Sequence, residues 1–84
     1  MFTTELELDG YFLDELCCKV TVKADWAHRP SRWVRGRYMM QVREGHLTTY
    51  NGGGLTSEDI AKRLFDLSRQ GYQLHVISGS LDLL

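Results

Sequence analysis

Along residues 2–8, FTTELEL, apolar and polar positions alternate: Phe2, Thr4, Leu6 and Leu8 share one parity, Glu5 and Glu7 the other. A period of two is that of a half-buried strand, here with one acidic, wet face. Asp9-Gly10 has the composition of a turn. Behind it Tyr11, Phe12, Leu13 and Leu16 cluster around Asp14 and Glu15, a pattern that fits either a continued strand or one short helical turn. The strictest alternation follows. Cys18, Val20, Val22, Ala24 and Trp26 stand against Cys17, Lys19, Thr21, Lys23 and Asp25, and the β-branched residues among them favour a strand. Pro30 interrupts this pattern because it has no N–H for a ladder and restricts Arg29 before it, so residues 27–34 are expected to form a loop. From Arg35 the alternation returns, with Tyr38, Met40 and Val42 on one side and Arg37, Met39, Gln41 and Arg43 on the other. Glu44-Gly45 has the chemistry of a two-residue hairpin turn, HLTTY (46–50) reads as the returning strand, and Asn51-Gly-Gly-Gly54 as a flexible loop.

A helix is expected next. Thr56 or Ser57 can cap it, and Glu58 and Asp59 fall in the first turn, where the helix dipole favours anions. Ile60, Ala61, Leu64, Phe65 and Leu67 make an apolar stripe at helical spacing, with Lys62, Arg63, Asp66 and Arg69 turned to water. Gly71 is a natural stop. Tyr72, Leu74 and Val76 then alternate with Gln73, His75 and Ile77 in a last strand, before a tail, SGSLDLL, with three leucines in its last four residues. The predicted architecture is a single α+β domain over residues 1–84. It is a four- to five-stranded, mainly antiparallel sheet with one helix packed on one face, in the order β-β-β-β-α-β. The uncovered face would carry Glu5, Glu7, Lys19, Thr21, Lys23, Arg37, Gln41 and His75, a polar surface of both signs.

Composition sharpens this picture in two respects. First, 84 residues with 43% hydrophobic and 25% charged content allow one modest core and exclude a disordered chain. Second, the net charge of -1 conceals a polarity. Glu5, Glu7, Asp9, Asp14 and Glu15 crowd the first fifteen residues, while Lys19, Lys23, Arg29, Arg32, Arg35, Arg37 and Arg43 follow with Asp25 as the only acid among them. Residues 1–16 have acids where a signal peptide has a basic start and an apolar run, so none is expected. No apolar run approaches the roughly 20 residues of a membrane helix. Cys17 and Cys18 are adjacent, a spacing that would strain a disulfide on a strand, and a reducing cytoplasm is the expected setting.

Few residues point to chemistry. His28, His46, His75, Cys17 and Cys18 lack the paired spacing of a zinc site, so no metal and no cofactor is expected. Cys17 with His46 or His75 could pair a nucleophile with a base, as could Ser31 or Ser57, but no nucleophile elbow or paired-carboxylate cleft accompanies any of them. Asn51-Gly-Gly-Gly54 before a helix start invites a phosphate-loop reading. The Walker Lys-Ser/Thr is missing, however, and Glu58 and Asp59 would repel a phosphate. No catalytic residue is assigned, and the chain is expected not to be an enzyme.

The segment HRPSRWVRGR (28–37) is the most informative. Arg29, Arg32, Arg35 and Arg37 fall within nine residues, with Trp26, Trp33 and Tyr38 interleaved and Arg43 beyond. Arginine forks beside aromatic platforms suit phosphates and unstacked bases, and they equally suit protein interfaces, where Arg and Trp are enriched at hot spots. The run GRYMMQVREGHLTTYNGGGLTSEDIAKRL resembles, in layout, small DNA-binding modules in which a three-stranded sheet backed by a helix enters the major groove, integrase arm-binding domains among them. That resemblance implies nucleic-acid binding through the strand row. The ending LFDLSRQGYQLHVIS resembles the helix–Gly–aromatic–strand ending of several short α+β families and implies no activity. The leading expectation is a small non-enzymatic binding protein that regulates or inhibits a larger protein or nucleoprotein complex through charged patches. Phage-encoded inhibitors of host defence, anti-CRISPR proteins among them, often share this size and lack of motifs. Its binding residues would be a basic set, Arg29, Arg32, Trp33, Arg35, Arg37 and Arg43, or an acidic set, Glu5, Glu7, Asp9, Asp14 and Glu15. The alternative is a nucleic-acid-binding module using Arg29–Arg43, and the third reading a small Cys/His enzyme. No membrane partner is expected. Open sheet edges and the leucine-rich tail leave room for a homodimer.

Overall fold

The computed structural model describes residues 5–24 and 38–79. Along them run β1 (Glu5–Phe12), β2 (Glu15–Ala24), β3 (Tyr38–Glu44), β4 (Leu47–Leu55), α1 (Ser57–Arg69) and β5 (Gln73–Gly79). The strands form one sheet in the order β4-β3-β2-β1-β5, antiparallel at every pairing. This is the expected α+β architecture, in the expected order. Two tight hairpins join β1 to β2 and β3 to β4, and α1 carries the chain from the β4 edge across one face to the opposite edge, where β5 pairs with β1. No helix among the described residues is long and apolar enough to cross a membrane.

The parity of the sequence becomes the two faces of the sheet. Leu6 and Leu8 of β1, Cys18, Val20 and Val22 of β2, and Met40 and Val42 of β3 are buried, and Ile60, Leu64 and Leu67 of α1 complete the core. The apolar stripe on α1 is narrower than the sequence suggests. Ala61 is exposed, and Phe65, expected inside, is 63% exposed. At 100° per residue the three buried positions already fill the sector facing the sheet, which leaves Phe65 on the flank.

Both ends of α1 are closed by local hydrogen bonds. Asp59 N–H donates to the Thr56 hydroxyl and Thr56 N–H to the Asp59 carboxylate, each at 3.0 Å, a reciprocal capping box. At the other end Tyr72 N–H donates to the Leu67 carbonyl and Gly71 N–H to that of Ser68, the Schellman pattern, with Gly71 at φ +108°. The sequence cues for this helix are therefore literal.

The turns differ from expectation in three places. Asp9-Gly10 is not a turn: β1 runs on to Phe12 and Gly10 pairs with Cys18. The chain reverses at Leu13 and Asp14 instead, with φ of 50° and 67°, a pair of left-handed residues that matches the twist of a tight hairpin. The second hairpin turns on Gly45-His46, one residue later than Glu44-Gly45, and places the glycine at the first position with φ +64°. Asn51-Gly-Gly-Gly54 is not a loop but the second half of β4, and β4 shows two register shifts against β3. Tyr50 explains how glycines persist there. Its ring lies where a side chain on Gly52 would stand, so it supplies the missing packing to its own strand.

Candidate functional site

The face of the sheet away from α1 has no second layer among the described residues. Its side chains can be placed from register alone, because directly opposed residues stand about 5 Å apart. One row runs Asn51, Gln41, Thr21, Glu7, Ser78 across the five strands. The next runs Thr48, Arg43, Lys19, Asp9, His75. In a third, Met39 and Lys23 align with Glu5. The charges therefore form columns. Lys19 and Lys23 stand on β2 and Arg43 on β3, while Glu7 and Asp9 stand on β1 immediately alongside.

This arrangement changes what the two candidate sets mean. Arg43 sits on the open face beside Lys19, which joins it as a basic residue. Arg29, Arg32, Trp33, Arg35 and Arg37 lie outside the described residues. The acidic set is not one patch. Glu7 borders an open groove of about 320 Å³ with Thr21, Lys23, Met39 and Gln41. Asp9 and Asp14 border a second groove, of about 460 Å³, with Tyr11, Gln73, His75 and Ile77. Glu15 pairs with Phe12 at the hairpin end, and Glu5 opens β1 in register with Lys23. Acids and bases thus share a surface, column beside column. In the second groove the Tyr11 and His75 rings meet edge to face, with centroids 5.3 Å apart.

The cysteine reading divides. Cys18 is buried in the core, and burial first, then the nearby Glu44 carboxylate, pushes its thiol up to about 11, so it is protonated at neutral pH. Cys17 is half-buried and lines a hollow with Lys19, Arg43 and Gly45. Among the described residues, no three of His, Cys, Asp and Glu are grouped to hold a metal ion.

On the helix side one polar cluster escaped the sequence reading. Tyr72 Oη donates to Glu44 Oε1 at 2.7 Å, joining the end of β3 to the residue after the helix stop. Beside it, Arg63 stacks over the Tyr50 ring at 3.6 Å and with Asp66 and Gln70 borders a cleft of about 190 Å³. Tyr72 and Glu44 are 28 residues apart in the chain, and no spacing rule links them. The hydrogen bond from Tyr72, then one from Thr49, holds the Glu44 carboxyl below its ordinary 4.5. A depressed carboxylate adds stability that is complete above its unfolded value and is lost as pH falls through the folded one. Tyr72→Phe is therefore expected to destabilise the protein more at pH 7 than at pH 3. Urea unfolding at the two pH values measures this, and an equal cost at both would remove Glu44 from the account.

Comparison of the chain with protein-family models, with curated proteins and with solved structures finds no match in any of the three, and the open sheet face is therefore interpreted on its own geometry.

Proposed function

We propose that this protein is a non-enzymatic binding protein that regulates or inhibits a larger protein or nucleoprotein complex by laying the open face of its sheet against it. The observation that carries this reading is the adjacency of the columns: Lys19, Lys23 and Arg43 stand directly beside Glu7 and Asp9 on a surface with no covering layer among the described residues. Alternating columns of opposite sign suit a protein surface of complementary pattern, because mismatched partners are rejected by like-charge contact. They suit a uniform polyanion less well, because the acidic column would repel it. Arg29, Arg32, Trp33, Arg35 and Arg37 extend the basic side in sequence and belong to the same proposal.

A second reading has one observation in its favour. On β2, β3 and β4 the open-face rows hold Lys19, Thr21, Lys23, Gln41, Arg43, Thr48 and Asn51 and no acid. Three strands presenting that set would suit a nucleic-acid groove, with phosphate contacts from the bases and edge contacts from the amides.

Reversing the acidic column separates the two. Glu7→Lys/Asp9→Lys is expected to weaken capture of a protein partner, as is Lys19→Glu/Arg43→Glu, and nuclease treatment should change neither result. If nucleic acid is the partner, the acidic reversal instead tightens binding in a polarisation titration and steepens its salt dependence. Tighter, salt-sensitive binding of duplex or single strand by Glu7→Lys/Asp9→Lys would overturn the protein-partner reading.

A further inference from the structure

We infer that the cleft between α1 and the β3–β4 pair binds a small zwitterionic amino acid, with its carboxylate on Arg63 and its ammonium on Glu44 and Asp66. The cleft is on the helix side of the sheet, so this goes beyond the open-face reading and does not depend on it. Val42 and Leu67, both buried, form the floor of its volume of about 190 Å³. Arg63, Asp66 and Gln70 border it from α1, and their spacing of three and four sets them on one face of the helix. An apolar floor under a few convergent polar groups is the usual form of a small-molecule site.

The charges in this cleft are complementary and yet do not meet. Arg63 is held over the Tyr50 ring at 3.6 Å. The ring occupies one face of the guanidinium and leaves its N–H groups, which point outward in the plane, to take a carboxylate. Among the described residues Arg63 forms no ion pair with Glu44 or Asp66, although all three border the same cleft. Glu44 is anchored at the other end. The Tyr72 hydroxyl donates to its Oε1 at 2.7 Å, and that bond, with one from Thr49, keeps the carboxylate ionised at neutral pH.

The separation of the charges selects the class of ligand. Tyr50 pairs with Val42, and Glu44 stands two residues further along β3, so the strand sets the two ends about 7 Å apart. A molecule with opposite charges a few bonds apart spans that gap and satisfies both ends. A simple anion on Arg63 would also meet Glu44 and Asp66, and a simple cation on the carboxylates would also meet Arg63, each at the cost of a like-charge contact.

Titration with glycine, β-alanine and γ-aminobutyrate, followed by amide NMR, tests this and measures the span the cleft prefers. At least one of the three is expected to bind saturably with a Kd of about 1 mM or tighter. It should shift Thr49, Tyr50, Arg63 and Gln70 and leave Thr21 and Gln41 on the open face unmoved. Acetate and methylammonium each carry one end and should bind about tenfold more weakly or worse. Arg63→Gln and Asp66→Asn change exposed positions of α1 and should each raise Kd about tenfold or more while retaining the far-UV spectrum. Lys23→Gln, on the open face, should leave it unchanged. Should a variant unfold, the comparison of whole and half ligands on the wild type decides. No binding of any of the three, acetate or methylammonium binding as tightly, shifts confined to the open face, or an affinity indifferent to either helix substitution would overturn the inference.

Discussion

Leu6→Ala is expected to destabilise the protein by about 3–4 kcal/mol in urea unfolding at neutral pH. Leu6 is fully buried on β1, a strand paired on both sides, and belongs to the cluster that α1 seals through Ile60, Leu64 and Leu67. Truncation there loses the transfer free energy of one methine and two methyl groups and leaves a cavity that paired neighbours cannot collapse to fill. Chains of this size are stable by roughly 4–13 kcal/mol in all, so the loss is a large share and should lower the midpoint visibly. Leu47→Ala is the control. Leu47 is 70% exposed, and its truncation should stay within about 0.5 kcal/mol. A cost below 1 kcal/mol at Leu6 would mean that α1 does not seat over β1.

The elements that proved legible in the sequence are those in which a local rule and the global fold ask for the same residue. In β2, the alternation of Cys18, Val20 and Val22 with Lys19, Thr21 and Lys23 satisfies strand propensity and core burial together. In α1, Thr56 and Asp59 cap the same turn that Ile60 anchors in the core. The misread turns occur where glycine was taken at its local value. Asp9-Gly10 and Asn51-Gly-Gly-Gly54 have turn composition, yet both lie within strands, and at Gly10 and Gly52 a neighbour occupies the space that a side chain would need. Tyr50 does this at Gly52 from two residues away, and periodicity does not encode it. Leu13 hides its turn for the opposite reason: a γ-branched residue at φ 50° goes against steric preference and is held there by the paired strands on either side.

The interaction face was half legible for a related reason. Parity correctly placed Glu7, Lys19, Thr21, Lys23, Gln41 and His75 on one surface, since period two needs no knowledge of topology. Which columns touch depends on strand order. An acidic start and a basic middle look like separate patches along the chain, and only the β1–β2 hairpin makes them neighbours, with Asp9 directly opposite Lys19. The Glu44–Tyr72 bond required the same topological knowledge, since it joins a strand end to the helix stop across the fold.

Gly10→Ala is expected to cost about 2 kcal/mol, a fall of roughly 10 °C in Tm, against the sign that propensity alone would give. In a strand interior, alanine normally gains over glycine because less backbone entropy is lost. Here a Cβ on Gly10 would stand 2.8 Å from Cys18 Cβ and 3.3 Å from Leu74 Cδ2. The Leu74 methyl group can swing aside. The Cys18 Cβ cannot, because it is fixed to the backbone of the strand paired with β1, so β1 and β2 must separate or twist to admit the methyl group. The close approach coincides with the register shift between Gly10 and Tyr11, where β1 bends toward its hairpin. A double-mutant cycle isolates the contact. Cys18→Gly alone should be destabilising through lost packing, but in that background Gly10→Ala should lose most of its cost, giving a coupling of 1 kcal/mol or more in the range known for touching residues. Additive costs would show that the two Cβ positions do not collide, and that Gly10 is glycine for some reason other than the packing of β1 against β2.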